Sequence, residues 1–234
     1  MMEGGTQPRA PFLQKEGAVG FVLADGLSYG VGANKAIFLA LASDRYFCLS
    51  PELNDAFLAF ADGQIVDQHH IETLIADGII CDTTGDHDMR PVRVPVAERS
   101  LATRAARYTM AVRSPVALLD RVYVKRVLAK KGLPRLLTRD LSNLLYERSD
   151  RGAEDIAEIV EAVHAAGRIF GAKDQCLSQS LLIRRQMQRC GYGAALVFGV
   201  RLLPFEAHCW LQRGVTVLDD HHEHVVQFTP VFAS

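Results

Sequence analysis

The stretch DQCLSQSLLIRRQMQRCGYGAALVFGV, residues 174–200, constrains this chain more than any other. It reads as a helix with a cysteine at its mouth, followed by a strand of almost unbroken apolar character. Asp174 is a good N-cap, which places Cys176 in the first helical turn. Unsatisfied backbone N–H groups and the helix dipole favour an anion there, so a thiol at that place loses its proton more easily, and the thiolate is the nucleophile. The competing reading is a buried helical cysteine packed beside Leu177, and a single cysteine does not decide between them.

The rest of the composition bounds the answer. With 234 residues, 49% hydrophobic and 23% charged, the chain suits one large domain or two small ones with a core. No run of eighteen or more apolar residues occurs, and MMEGGTQPRAPFLQKEG lacks the marks of a signal peptide, so a cytoplasmic protein is expected, with no membrane partner. The five cysteines, Cys48, Cys81, Cys176, Cys190 and Cys209, are odd in number and scattered, without a CxxC pair. Neither a disulfide framework nor a structural zinc site is indicated. Net charge is −1 overall, yet residues 101–150 carry eleven Lys/Arg against four acids, leaving that segment at +7. A basic face can meet nucleic acid, membrane or an acidic partner, but it equally suits a solvated helical face. Without aromatic interleaving or zinc-finger spacing, no nucleic-acid partner is expected.

Along the front of the chain, GFVLADGLSYGV, KAIFLALA and RYFCLS read as a three-stranded antiparallel sheet. Ser50 caps a helix opened by Pro51, with Gly63 beyond its end. A second helix follows at DQHHIETLIADG, with Ile71, Leu74 and Ile75 on one face, and IICDT closes the unit as a strand. Residues 83–100, polar and twice interrupted by proline, read as a linker. Residues 101–148 read mainly as helices broken at Pro115 and Pro134. The helix AEDIAEIVEAVHAAGRIFG after them carries Ile156, Ile159, Val160 and Val163 on one stripe.

Beyond the apolar strand and Pro204, FEAHCWLQRG places His208 in an alternating strand, and VTVLDD returns to end in Asp219 and Asp220. A cysteine, a histidine and a carboxylate are the ingredients of thiol catalysis. The imidazole takes the thiol proton and later protonates the leaving amine, while the carboxylate fixes the tautomer and stabilises the cation. On a strand only one of Asp219 and Asp220 can face His208, and a one-residue shift of the hairpin exchanges them. Trp210 shares the His208 face, either shielding it from water or packing in the core. Two other stretches carry ligand-type residues. HHEH at 221–224 and His69–His70 read as exposed residues rather than metal ligands, because neighbours on a strand end diverge. GVGANKA at 30–36 lacks the second glycine and the Ser/Thr of a phosphate loop.

The run CLSQSLLIRRQMQRCGYGAALVFGVRLLPFEAHCWLQRGVTVLDD, with VVQFTPV after it, resembles the lasso peptide biosynthesis B protein family, the transglutaminase-like leader peptidases. The shared elements are the Cys-Leu opening, the Leu-Val-x-Gly-Val-Arg strand, Pro-Phe-x-Ala-His-x-Trp and an Asp before Phe-x-Pro. The resemblance implies Cys176 as nucleophile, His208 as base and, by family spacing, Asp220 as the orienting carboxylate. In fused members the front portion recognises the leader of a ribosomally made precursor, and SDRYFCLSPELNDAFLAF is the stretch here most like it. Such elements have three strands and three helices and bind the leader as an added strand on a sheet edge. That implies Arg45, Tyr46, Phe47, Cys48 and Leu49 as the receiving edge, with Ile71, Leu74 and Ile75 on the helix lining the groove.

The fold expected is therefore α+β. A winged-helix-like leader-peptide recognition module at 17–82 and a linker at 83–100 precede a transglutaminase-like, papain-like cysteine peptidase domain at 101–234. The function implied is leader removal in lasso peptide maturation. The implied partners are the precursor peptide and an asparagine-synthetase-like cyclase, with no metal or cofactor in this chain and any ATP acting through the cyclase. A transglutaminase-like acyltransferase and a non-catalytic precursor-binding adaptor are the rivals.

Overall fold

A computed structural model describes residues 20–85, 88–101, 119–120, 122–126, 128, 152–169 and 176–234. The front of the chain holds β1 (Gly20–Leu23), β2 (Leu27–Gly32), β3 (Lys35–Ala40), β4 (Arg45–Cys48), α1 (Pro51–Ala61), α2 (Gln68–Ala76) and β5 (Ile80–Thr83). Strands β2, β3 and β4 form an antiparallel sheet in that order. Its first hairpin turns at Ala33 and Asn34, both at positive φ (50° and 60°), as a two-residue loop whose twist matches the strands requires. The GVGANKA stretch is therefore a hairpin tip between β2 and β3.

One expectation fails here. GFVLADGLSYGV is not a single strand, because the chain turns at Asp25–Gly26, where Gly26 takes φ 78°. The half before the turn leaves the sheet, and β1 pairs antiparallel with β5 instead. A second departure concerns the helices: among the described residues the front unit has two, where the family resemblance implies three. Both are capped, the first by Ser50 as the sequence indicates and the second by Asp67. The Ser50 hydroxyl accepts from Leu53 N–H at 3.4 Å, and Asp67 accepts from His69 N–H at 2.8 Å. Asn54 ties α1 to the hairpin, accepting from Ala36 N–H and donating to the Asn34 carbonyl.

The remaining elements are β6 (Arg99–Ser100), α3 (Ala153–Ile169), α4 (Cys176–Arg189), β7 (Ala195–Leu202), β8 (Phe205–Arg213), β9 (Thr216–Val217), α5 (His222–Val225) and β10 (Thr229–Ala233). They build a five-stranded sheet in the order β10-β7-β8-β9-β6, antiparallel except for β6 beside β9. Side chains alternate across it. Leu196, Phe198, Val200, Cys209 and Leu211 pack with α3 and α4, whereas Ala195, Val197 and Trp210 meet Val225 and Phe228 on the other face. The α3 stripe of Ile156, Ile159, Val160 and Val163 is buried in the first of these cores. Of the helices expected over 101–148, only helical residues at 119–120, 122–126 and 128 lie within the described set. Asp120 there is buried and paired with Arg185 at 2.8 Å and Arg189 at 2.9 Å on α4.

The two halves share a core. On β3, Phe38 faces Tyr29 and Phe57 in the front core, while Ile37 and Leu39 join the cluster of α3, α4 and β7. Burial on both faces explains why KAIFLA is apolar almost throughout. Strand β10 crosses β2 so closely that a Cβ on Gly30 would stand 1.9 Å from the Pro230 carbonyl oxygen. The described residues of the 83–100 stretch are no free tether. Val92 N–H donates to Tyr29, Met89 sits in the front core, Gln212 donates to the Pro95 carbonyl, and β6 closes the large sheet. No helix among the described residues is long and apolar enough to cross a membrane.

Candidate active site

Helix α4 begins at Cys176, and the expected cap Asp174 lies outside the described residues. The helix covers β8, the strand that carries His208 and Cys209. The Cys176 sulfur there interacts with the Cys209 thiol and the His208 imidazole. His208 Nε2 lies 2.6 Å from Asp220 Oδ2. With Nε2 committed to the carboxylate, Nδ1 is the nitrogen left to exchange a proton with sulfur.

The electrostatics follow from those contacts. The Cys176 thiol is brought down to about 4 by hydrogen bonding with Cys209 and then His208, against the opposing effect of burial, with the His208 charge and the Leu177 N–H adding to the shift. Burial alone would lower the His208 imidazole, but hydrogen bonds to Asp220 and Cys176, and the charges of both, raise it to about 9. Burial likewise works against ionisation of Asp220. Hydrogen bonds from His208, His224 and the His221 N–H overcome it and hold the carboxyl below its ordinary range. Between these limits the stable form is a thiolate beside an imidazolium backed by a carboxylate.

The neighbouring carboxylate does something else. Asp219 accepts from the Ser180 hydroxyl on α4 at 2.5 Å and from Leu211 N–H at 2.7 Å, riveting helix to sheet. Burial raises it to about 6, although both hydrogen bonds oppose the rise. Of the two aspartates the hairpin could present, Asp220 is the one on His208.

Three rings enclose the imidazole. Trp210 stacks at 6.0 Å and 18°, Phe228 lies at 5.3 Å and His224 at 4.9 Å between centroids. Trp210 is buried and donates to Gln212, so it packs in the core and shields one face of His208 as well. Gly199 pairs with His208 across β7 and β8, and a Cβ there would stand 2.7 Å from the Trp210 ring and 2.8 Å from Phe228. The absent side chain is what lets both rings close on the histidine.

His224 is the residue that sequence reasoning missed. HHEH is not a strand end: His222–Val225 is one helical turn, and it brings His224 Nδ1 to 2.9 Å from Asp220 Oδ2. The i,i+4 spacing of Asp220 and His224 was the available signal. His222 turns elsewhere, to Ser100 and Glu223.

The expected leader-binding residues divide. A groove of about 560 Å³ runs beside β4, and its lining includes Arg45, Phe47, Cys48 and Leu49. Tyr46 is turned to the opposite face, onto the C-terminal half, with its ring 6.2 Å from Phe205. Leu74 is fully buried in the front core, beneath the groove rather than in it. Ile71 packs against that same core and Ile75 is exposed; the groove wall is supplied instead by Asp77, Gly78 and Ile79, just beyond α2.

Residues 118–233 match the Transglutaminase-like superfamily, which includes cysteine peptidases and acyltransferases. Comparison with curated proteins and with solved structures found no significant match. The matched span takes in α3 through β10, with Cys176, His208, Asp219 and Asp220 inside it. The similarity to the transglutaminase-like superfamily thus covers residues 118–233, just under half of the chain.

Proposed function

We propose that the protein is a cysteine leader peptidase acting on a ribosomally made precursor of the lasso peptide class. The observation that carries the catalytic part is the relay from Cys176 through His208 to Asp220, with Asp220 Oδ2 2.6 Å from His208 Nε2. The Cys176 thiolate attacks the carbonyl carbon of the last leader residue, forming the C–S bond of a tetrahedral adduct. Collapse breaks the C–N bond as the His208 imidazolium gives its proton to the departing amine, which becomes the α-amine of the core. Water then attacks the thioester with His208 as base, releasing the leader as a carboxylate and restoring the thiol.

The substrate side rests on the sequence resemblance together with the groove beside β4. That strand is an edge of its sheet, so its outer backbone groups can pair with an extended leader, while Arg45, Phe47, Cys48 and Leu49 meet leader side chains. Holding the leader on the same molecule raises the effective concentration of the scissile bond, so the peptidase half needs little recognition of its own. The resemblance adds a threonine near the end of the leader as the mark of the cleavage site. It also adds an asparagine-synthetase-like cyclase as the cytoplasmic partner, which consumes ATP and closes the freed core.

The test is mass spectrometry of a candidate precursor incubated with this protein, the cyclase and ATP, beside Cys176→Ala. A leader fragment one water heavier than its residues, present with the wild type and absent with the variant, supports hydrolysis at Cys176. A leader joined to an amine points to the acyltransferase that the superfamily also contains. Tight binding of a precursor that is never cut overturns the enzyme reading in favour of an adaptor.

A further inference from the structure

Asp220 Oδ2 is shared by two imidazoles, and a Cys-His-Asp relay uses only one of them. His208 Nε2 stands 2.6 Å from it and His224 Nδ1 2.9 Å. These three donor atoms all lie within 4.8 Å of one another. Two imidazole nitrogens and one carboxylate oxygen form a donor set suited to zinc and similar divalent metals. With metal–ligand bonds near 2.0–2.1 Å, tetrahedral neighbours stand about 3.3 Å apart. To reach that geometry the two contacts of Asp220 Oδ2 must lengthen by about 0.4–0.7 Å, and the two ring nitrogens, within 4.8 Å of each other, must close by up to about 1.5 Å, a movement that side-chain rotation can supply.

The surroundings favour the same use. Asp220 Oδ1 accepts from the His221 N–H at 2.7 Å, which holds the carboxylate's orientation and leaves Oδ2 for the shared point. His224 is 41% exposed at the side chain, against 15% for His208, so the cluster is reached from the His224 side, where water can complete the coordination. Cys176 is not among the donors gathered at this point, so the site is built without sulfur.

We propose that His208, Asp220 and His224 form a binding site for a divalent transition metal of the zinc class. Occupancy ties up the nitrogen and the oxygen that link His208 to Asp220, so metal-bound protein loses the carboxylate support of its imidazole and is held inactive until the metal leaves. The binding claim is independent of the peptidase reading and is measured without substrate.

The experiment is a cobalt(II) titration of untagged protein carrying Cys176→Ala, followed by visible absorption and calorimetry. The expected result is one equivalent bound, with the bands of a four- or five-coordinate N/O site. His224→Ala, and separately His224→Gln, should weaken binding roughly tenfold or more, while His222→Ala leaves it unchanged. Absence of binding, or binding that survives both His224 substitutions, overturns the site. Circular dichroism of each variant distinguishes loss of a ligand from loss of fold. Zinc should also slow alkylation of Cys176 in the otherwise wild-type protein, reversibly with EDTA, and this effect should disappear in His224→Ala. Equal slowing in His224→Ala would place the inhibitory metal on the thiolate instead, and the regulatory part of the proposal would fall.

Discussion

At the residue scale, the two adjacent aspartates have separable jobs, and conservative substitutions expose them. Asp220→Asn keeps the shape but cannot support an imidazolium, so kcat/KM for leader cleavage should fall by about 10²–10⁴ with little change in melting temperature. Asp219→Asn keeps an oxygen to accept from the Leu211 N–H, and its amide NH2 can donate to a Ser180 hydroxyl turned round to accept, so activity should survive. Measuring both variants in parallel checks the assignment, and the reverse pattern would mean that the hairpin sits one residue out of register. The thiol and imidazole shifts predict a wide pH plateau. Below about 4 the nucleophile is protonated, and above about 9 His208 loses the proton the leaving amine needs. Iodoacetamide alkylation of Cys176 should therefore already be fast at pH 5–6, well below the range of an ordinary thiol. A rate that rises only near pH 8–9 would show an unperturbed cysteine.

At the element scale, the β7–β8 hairpin depends on a missing side chain. Gly199→Ala pushes a methyl group into the Trp210 ring and against the Cβ of Phe228, the two residues that confine His208. Overpacking of this kind costs about 1–3 kcal/mol. Because the rings can escape only by moving against the histidine, activity should drop further than the loss in chemical-denaturation stability explains. Helix α4 was legible in advance, since its cysteine, its apolar residues and the following strand are local patterns. The fate of HHEH was not. A single turn of helix is too short to show periodicity, and whether His224 meets Asp220 depends on the chain being folded back by Phe228 and Val225 onto the sheet.

At the scale of the whole molecule, the two halves are locked by contact rather than only joined by a connecting segment. Gly30 lets β10 cross β2, and Gly30→Ala sets a Cβ against the Pro230 backbone, which has no flexible end to move aside. The variant should lose at least about 1–3 kcal/mol in urea unfolding. If leader binding and cutting are coupled through this contact, cleavage of a tethered precursor should fall more than alkylation of Cys176 does. Equal stability of variant and wild type would show that the halves are not packed this way.

Sequence alone determined the cap of α1, the β2–β3–β4 hairpins, the buried stripe of α3, and the order of Cys176, His208 and the carboxylates, because each is written in residues close together. Tertiary structure decided the rest. It sent β1 away from the sheet to β5, turned Tyr46 toward the second half, buried Leu74 under the groove, pinned the 83–100 stretch, and chose Asp220 over Asp219. In each case the outcome depends on which face of a strand or helix finds a partner distant in sequence. Local propensity is the same for either choice, and only burial against that partner separates them.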